Sequence, residues 1–132
     1  MKYLLDTNTC IYVINKKSKT ILNKLSEIEI SEMVISSITV AELFFGVEKS
    51  SKKEENLTSL NNFLLPFGIL NFDSSDSVTY AKVRTELQKA GTPIGPMDLL
   101  IASQAISKDL ILVSNNTREF QRVQNLKLEN WV

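Results

Sequence analysis

No histidine occurs anywhere in this 132-residue chain. Its absence removes Ser-His-Asp and Cys-His catalysis, histidine-driven RNA cleavage and the usual His/Cys zinc sites. The single cysteine, Cys10, excludes an internal disulfide framework, and its setting in Cys10-Ile11-Tyr12-Val13-Ile14 reads as a small core residue. Fifteen Lys and Arg balance fifteen Asp and Glu, so no net charge draws a nucleic acid nonspecifically, and only a local basic patch stays open. No apolar run nears the roughly 18–20 residues of a membrane span. The N-terminus also lacks the basic-then-apolar layout of a signal peptide, so a cytoplasmic protein with no membrane partner is expected. Hydrolytic chemistry, if present, must rest on carboxylates with a hard, oxygen-seeking cation.

What is present alternates between short apolar runs and amphipathic segments. Strands are predicted at 2–5, 33–37, 69–72, 111–113 and 126–131. Helices are predicted at 8–16, 18–28, from Thr39, at 52–66, at 75–90 closed by Gly91, at 96–107 and from Thr117. With no repeat, low-complexity tract or linker, residues 1–132 read as one α/β domain with a mostly parallel sheet. Such folds bind ligands at the carboxyl ends of their strands.

Four acids fall near that edge, and each has a plain structural reading beside the chemical one. Asp6 ends the run Tyr3-Leu4-Leu5 and could simply start the next helix. Glu42 closes Thr39-Val-Ala-Glu42, which matches a capping box. Asp98 follows Gly95-Pro96-Met97 in a first helical turn, where the helix dipole favours an acid. Glu119 follows Asn116-Thr-Arg in a similar cap-like setting. A parallel sheet would gather these charges on one edge, a costly arrangement unless a cation neutralises them. Oxygen ligands of this kind suit Mg²⁺ or Mn²⁺. From the residues alone, capping and metal binding both stay open.

The blocks YLLDTNTCIYVI, ISSITVAELFFGV, GTPIGPMDLLIASQA and LVSNNTREFQRV, in this order, resemble a PIN-domain ribonuclease. More narrowly, the chain resembles a VapC toxin of a type II toxin–antitoxin pair, from residue 2 to the closing Leu-Glu-Asn-Trp. The resemblance implies a PIN-like three-layer α/β/α fold and metal-dependent hydrolysis of RNA. It implies Asp6, Glu42 and Asp98 as catalytic metal ligands, with Glu119 as the fourth. Asn115 and Asn116 stand where many relatives carry Asp, which leaves the fourth position open between Glu119 and Asn116. It further implies a tRNA substrate (the initiator tRNA anticodon loop), a cognate antitoxin and a homodimer. Attack by water rather than a ribose hydroxyl gives products with 5′-phosphate and 3′-hydroxyl ends. The alternative is a non-catalytic PIN-like binding module.

Thr7 and Asn8 could position water or phosphate, or cap the following helix. Arg118 and Arg122, four apart, are the candidates for touching phosphate. Asp73 and Asp76 read as helix-start residues among Ser74, Ser75 and Ser77, and Trp131 as core.

Overall fold

Apolar residues alternate along the central strands and divide the interior into two cores. The computed structural model describes residues 1–132. Its strands are β1 (Tyr3–Leu5), β2 (Met33–Ser36), β3 (Gly68–Leu70), β4 (Ile111–Val113) and β5 (Lys127–Glu129). They form one sheet in the order β3-β2-β1-β4-β5, and every pairing is parallel. Parallel neighbours need crossovers, so helices cover both faces. These are α1 (Thr7–Ile14), α2 (Lys19–Glu27), α3 (Ser37–Glu48), α4 (Lys53–Leu64), α5 (Ser74–Ala90), α6 (Pro96–Ser107) and the short α7 (Thr117–Phe120). None is long and apolar enough to cross a membrane.

The register places Leu4 beside Val34 and Leu112. These three face Val83 and Leu87 of α5, Leu99 and Ile101 of α6 and Phe120 of α7. Their neighbours Leu5, Met33, Ile35 and Val113 face the other way, onto Cys10, Ile21, Leu43, Leu60 and Trp131. The period-two alternation of a strand thus produces the three-layer α/β/α arrangement. Cys10 and Trp131 are core residues as expected, and Trp131 meets Tyr3 edge-on with ring centres 5.0 Å apart.

Several boundaries move. Helix α1 begins at Thr7 rather than Asn8. Helix α3 begins at Ser37 rather than Thr39, because the Ser36 hydroxyl accepts the Ile38 N–H at 3.0 Å and β2 runs straight into the helix. Strand β3 stops at Leu70, short of the predicted Phe72, whose N–H donates to Ser37 Oγ at 3.2 Å instead of to the ladder. Asp73 and Asp76 form a reciprocal capping box on α5, and Gly91 ends that helix at φ 71°. A 3₁₀ turn at Ile30–Glu32 is an addition to the predicted elements.

The chain leaves β1 for β2 and β3 on one side, then crosses to β4 and β5 on the other. This change of direction opens a crevice at the carboxyl ends of β1 and β4, where open α/β sheets bind their ligands. Asp6 follows β1, Ser36 ends β2 and Ser114 follows β4. Sheet topology therefore brings these three polar side chains, all buried, to one edge.

Candidate active site

Asp6 is 3% exposed and is the N-cap of α1, its Oδ1 accepting the Thr9 N–H at 2.8 Å. Its own N–H donates to the Val113 carbonyl at 3.1 Å, which ties the residue to β4. Capping and site membership coexist here. Burial pushes its carboxyl above the ordinary range; the Ser114 hydroxyl and the Thr9 amide oppose this, and the charge of Glu42 adds to it. Asp6→Asn should keep the cap, since Asn caps as well as Asp, whereas Asp6→Ala should cost about 1 kcal/mol more. Urea unfolding at pH 7 measures the difference, and equal stability of the two variants would refute the capping role.

Glu42 corrects the capping-box expectation. It lies in the second turn of α3, because Ser36 and not Thr39 is the cap. Thr39 is fully buried. Thr7 Oγ1 donates to Glu42 Oε1 at 2.7 Å and lies 3.4 Å from Thr39 Oγ1. Thr7 therefore orients Glu42 across the α1–α3 contact, while Asn8 is exposed.

Asp98 stands where its sequence context puts it, in the first turn of α6 after Gly95 and Pro96. Its half-buried carboxyl is pushed up to about 6 by burial and then by the charges of Glu119, Asp6 and Glu42. These effects place all four acids within electrostatic reach of one another. Glu119 behaves oppositely and is held below the ordinary carboxylate range, first by the Asn116 amide and then by the Gly95 N–H. Gly95 N–H donates to Glu119 Oε1 at 2.7 Å, and Asn116 Nδ2 donates to Glu119 Oε2 at 2.8 Å. The same Nδ2 lies 3.3 Å from Asp98 Oδ2.

The two arginines separate. Arg122 Nη1 donates to the Pro93 carbonyl at 2.9 Å and so holds the α5–α6 loop, whereas Arg118 is exposed beside the site. The ion pairs of the fold involve Lys53, Lys108 and Lys127, and none reaches the four acids. The charge of Arg122 reaches Glu119, but no ion pair holds any of the four acids, and an edge so rich in carboxylate oxygens has the donor chemistry of a Mg²⁺ or Mn²⁺ site. As the side chains stand, no three of them close on a common point, so gripping an ion requires them to turn inward. Sequence reasoning passed over Ser114, buried beside Asp6; its signal was a hydroxyl residue directly after β4, the place that Asp6 holds after β1.

A groove of about 320 Å³ adjoins Glu42 between α1, α3 and α4, with Ile11, Leu43, Val47 and Leu60 in its lining.

The sequence profile of the PIN domain matches residues 3–126. Ribonuclease VapC2 of Rickettsia felis is 47% identical over 132 residues, covering 99% of this chain and 98% of its own. A tRNA(fMet)-specific endonuclease VapC of Salmonella typhimurium is 40% identical over 131 residues, covering 99% and 98%. Among solved structures, DNA-bound VapBC from Salmonella typhimurium superposes with a TM-score of 0.95 at 40% identity, covering 100% of this chain and 99% of that one. VapBC2 from Rickettsia felis, bound to a promoter DNA fragment, gives 0.93 at 45% identity and covers 100% of both chains.

Proposed function

The chain belongs to the PIN-domain family, among its VapC ribonucleases, and from that premise we propose that it is the toxin of a toxin–antitoxin pair, a metal-dependent endoribonuclease. The observation that carries the chemistry is Asp98, whose carboxyl is pushed up to about 6 by burial and by three neighbouring acids. Asp6, Glu42 and Asp98 would hold the cation. When bound, a divalent ion lowers the pKa of water and neutralises charge on a scissile phosphate.

The chain's own residues prepare that site. Thr7 fixes the Glu42 carboxylate, the α1 cap fixes Asp6, and the first turn of α6 fixes Asp98. Arg118 is exposed and available to a phosphate. With a cation to lower the pKa of bound water, hydrolysis by water is the reading we propose. A tRNA substrate follows the name of the Salmonella relative. The cognate antitoxin follows from the VapBC complexes, and the apolar groove beside Glu42 offers it a seat. A homodimer is the assembly we propose, on exposed Phe44 and Phe45 of α3.

Purified tRNA and mRNA pools incubated with antitoxin-free protein should be cut in Mg²⁺ and left intact in EDTA or by Asp6→Asn. The new ends should be 5′-phosphate and 3′-hydroxyl. Cyclic phosphate ends would overturn hydrolysis by water. Folded protein that cuts no RNA in Mg²⁺ or Mn²⁺ would leave the non-catalytic binding module as the reading.

A further inference from the structure

The proposed metal site needs Asp98 free, and helix geometry works against that. The first amides of a helix lack partners inside it, and an acid at the third helical position commonly reaches back to the N-cap amide. Helix α5 does this: Asp76, its third residue, accepts the N–H of its cap Asp73 at 2.8 Å. Helix α6 has the same layout, with Gly95 as cap and Asp98 as third residue. Its cap amide is nevertheless taken by Glu119 Oε1, at 2.7 Å, from α7.

Both carboxylates flank this amide. A Cβ built on Gly95 would sit 3.7 Å from Glu119 Oε1 and 3.8 Å from Asp98 Oδ2. Glu119 holds its place through its second oxygen, bound by Asn116 Nδ2 at 2.8 Å. Arg122, three residues on, pins the same loop at Pro93.

We infer that Glu119 is a positioning residue rather than a metal ligand: it occupies the N-cap amide of α6 in place of Asp98 and thereby leaves the Asp98 carboxylate free for the cation. This rests on the metal-site reading above. Turning Glu119 towards an ion that Asp98 also holds would break both of its short hydrogen bonds and leave the Gly95 N–H without a partner, whereas Asp98 has no comparable commitment.

Amide exchange and ¹H–¹⁵N spectra of the whole protein, recorded without metal and during Mg²⁺ titration, provide the test. The Gly95 amide should stay protected and hydrogen-bonded throughout, while the amides around Asp6 and Asp98 shift. Loss of Gly95 protection as Mg²⁺ saturates would show Glu119 turning to the ion and would overturn the inference. Glu119→Gln can keep an oxygen on the Gly95 N–H when the Asn116 amide turns to offer its own oxygen to the new Nε2, and should lower Mg²⁺ affinity only a few-fold. Glu119→Ala should lower it about tenfold or more, the effect of losing a supporting partner. Equal, large losses in both variants would mark Glu119 as a ligand, since a neutral amide is a poor substitute for a carboxylate.

A metal-free arm separates the two readings. If wild-type protein shows no Mg²⁺-dependent shifts, the metal site fails, yet in Glu119→Ala the Asp98 carboxylate should take the vacated amide, so Gly95 exchange stays slow there and accelerates only in Glu119→Ala/Asp98→Ala. Fast Gly95 exchange in Glu119→Ala alone would show that Asp98 does not compete for the amide and would sink the positioning role by itself.

Discussion

Asp98→Asn should abolish RNA cleavage and at the same time make the metal-free protein more stable at neutral pH. The kinetic loss is expected to be about 10³-fold or more, equivalent to about 4 kcal/mol, because a ligand of the charge-neutralising ion is gone. The stability gain follows from the position of the carboxyl, which rises from an ordinary 3.8 to about 6 in the folded chain. Between those values the folded state holds a proton that the unfolded state has released. Stability therefore falls as pH rises from about 4 to about 6, and the full penalty remains above that. Each tenfold change in proton affinity is worth about 1.4 kcal/mol, which caps the penalty at about 3 kcal/mol. Solvent reaching a half-buried group brings this to about 1–3 kcal/mol. The amide introduced by Asp98→Asn has no charge to desolvate or repel, and its oxygen can still accept from Asn116. Urea unfolding in EDTA should show the variant ahead at pH 8 and level with wild type near pH 4. A variant less stable than wild type at pH 8, or a gap independent of pH, would show that the charge of Asp98 is not strained.

How far such a site can be read in advance depends on whether the deciding contact is local. The Gly95-Pro96-Met97-Asp98 start of α6 and the Asp73/Asp76 start of α5 were legible because cap and partner lie within four residues. The strands were legible because alternation such as Leu4 against Leu5 depends only on the pleat. At Glu42 only the plain capping-box reading fails, since Ser36 and Thr39 can both cap and only the fold buries Thr39 beside Thr7. For Asp6, cap and site looked like alternatives, yet the capping carboxylate also lies within electrostatic reach of Glu42 and Asp98, because β4 and α1 meet at its backbone. Nothing local hints that Gly95 and Glu119, 24 residues apart, share a hydrogen bond, or that Arg122 and Arg118 have different duties. What escaped the sequence is chiefly the pairing of side chains across elements that the sheet's crossover brings together.

Adding Mg²⁺ to the metal-free protein should stabilise it strongly at pH 7.5 and weakly at pH 5. An ion that binds only the folded state contributes about 2.7 kcal/mol at a hundred times its Kd, and for a chain of this size that is roughly 10 °C in Tm. With the Asp98 carboxyl at about 6, roughly nine molecules in ten carry its proton at pH 5, so the same ion binds about tenfold more weakly there. At the same Mg²⁺ concentration the stabilisation then drops to about 1.4 kcal/mol. Asp6, also shifted upward by burial, moves the response in the same direction. Calorimetry at the two pH values, with NaCl at matched ionic strength as control, measures the effect. NaCl screens exposed charges but has little access to a buried carboxylate, so it should not reproduce the shift. Asp98→Asn should be nearly unresponsive at both pH values. A shift that NaCl reproduces, that ignores pH, or that survives in Asp98→Asn would place the ion elsewhere. The two variant effects have one origin: the Asp98 charge, which burial and then repulsion make costly in the metal-free fold, is the charge that a cation would neutralise, so removing it gains stability only by giving up the affinity.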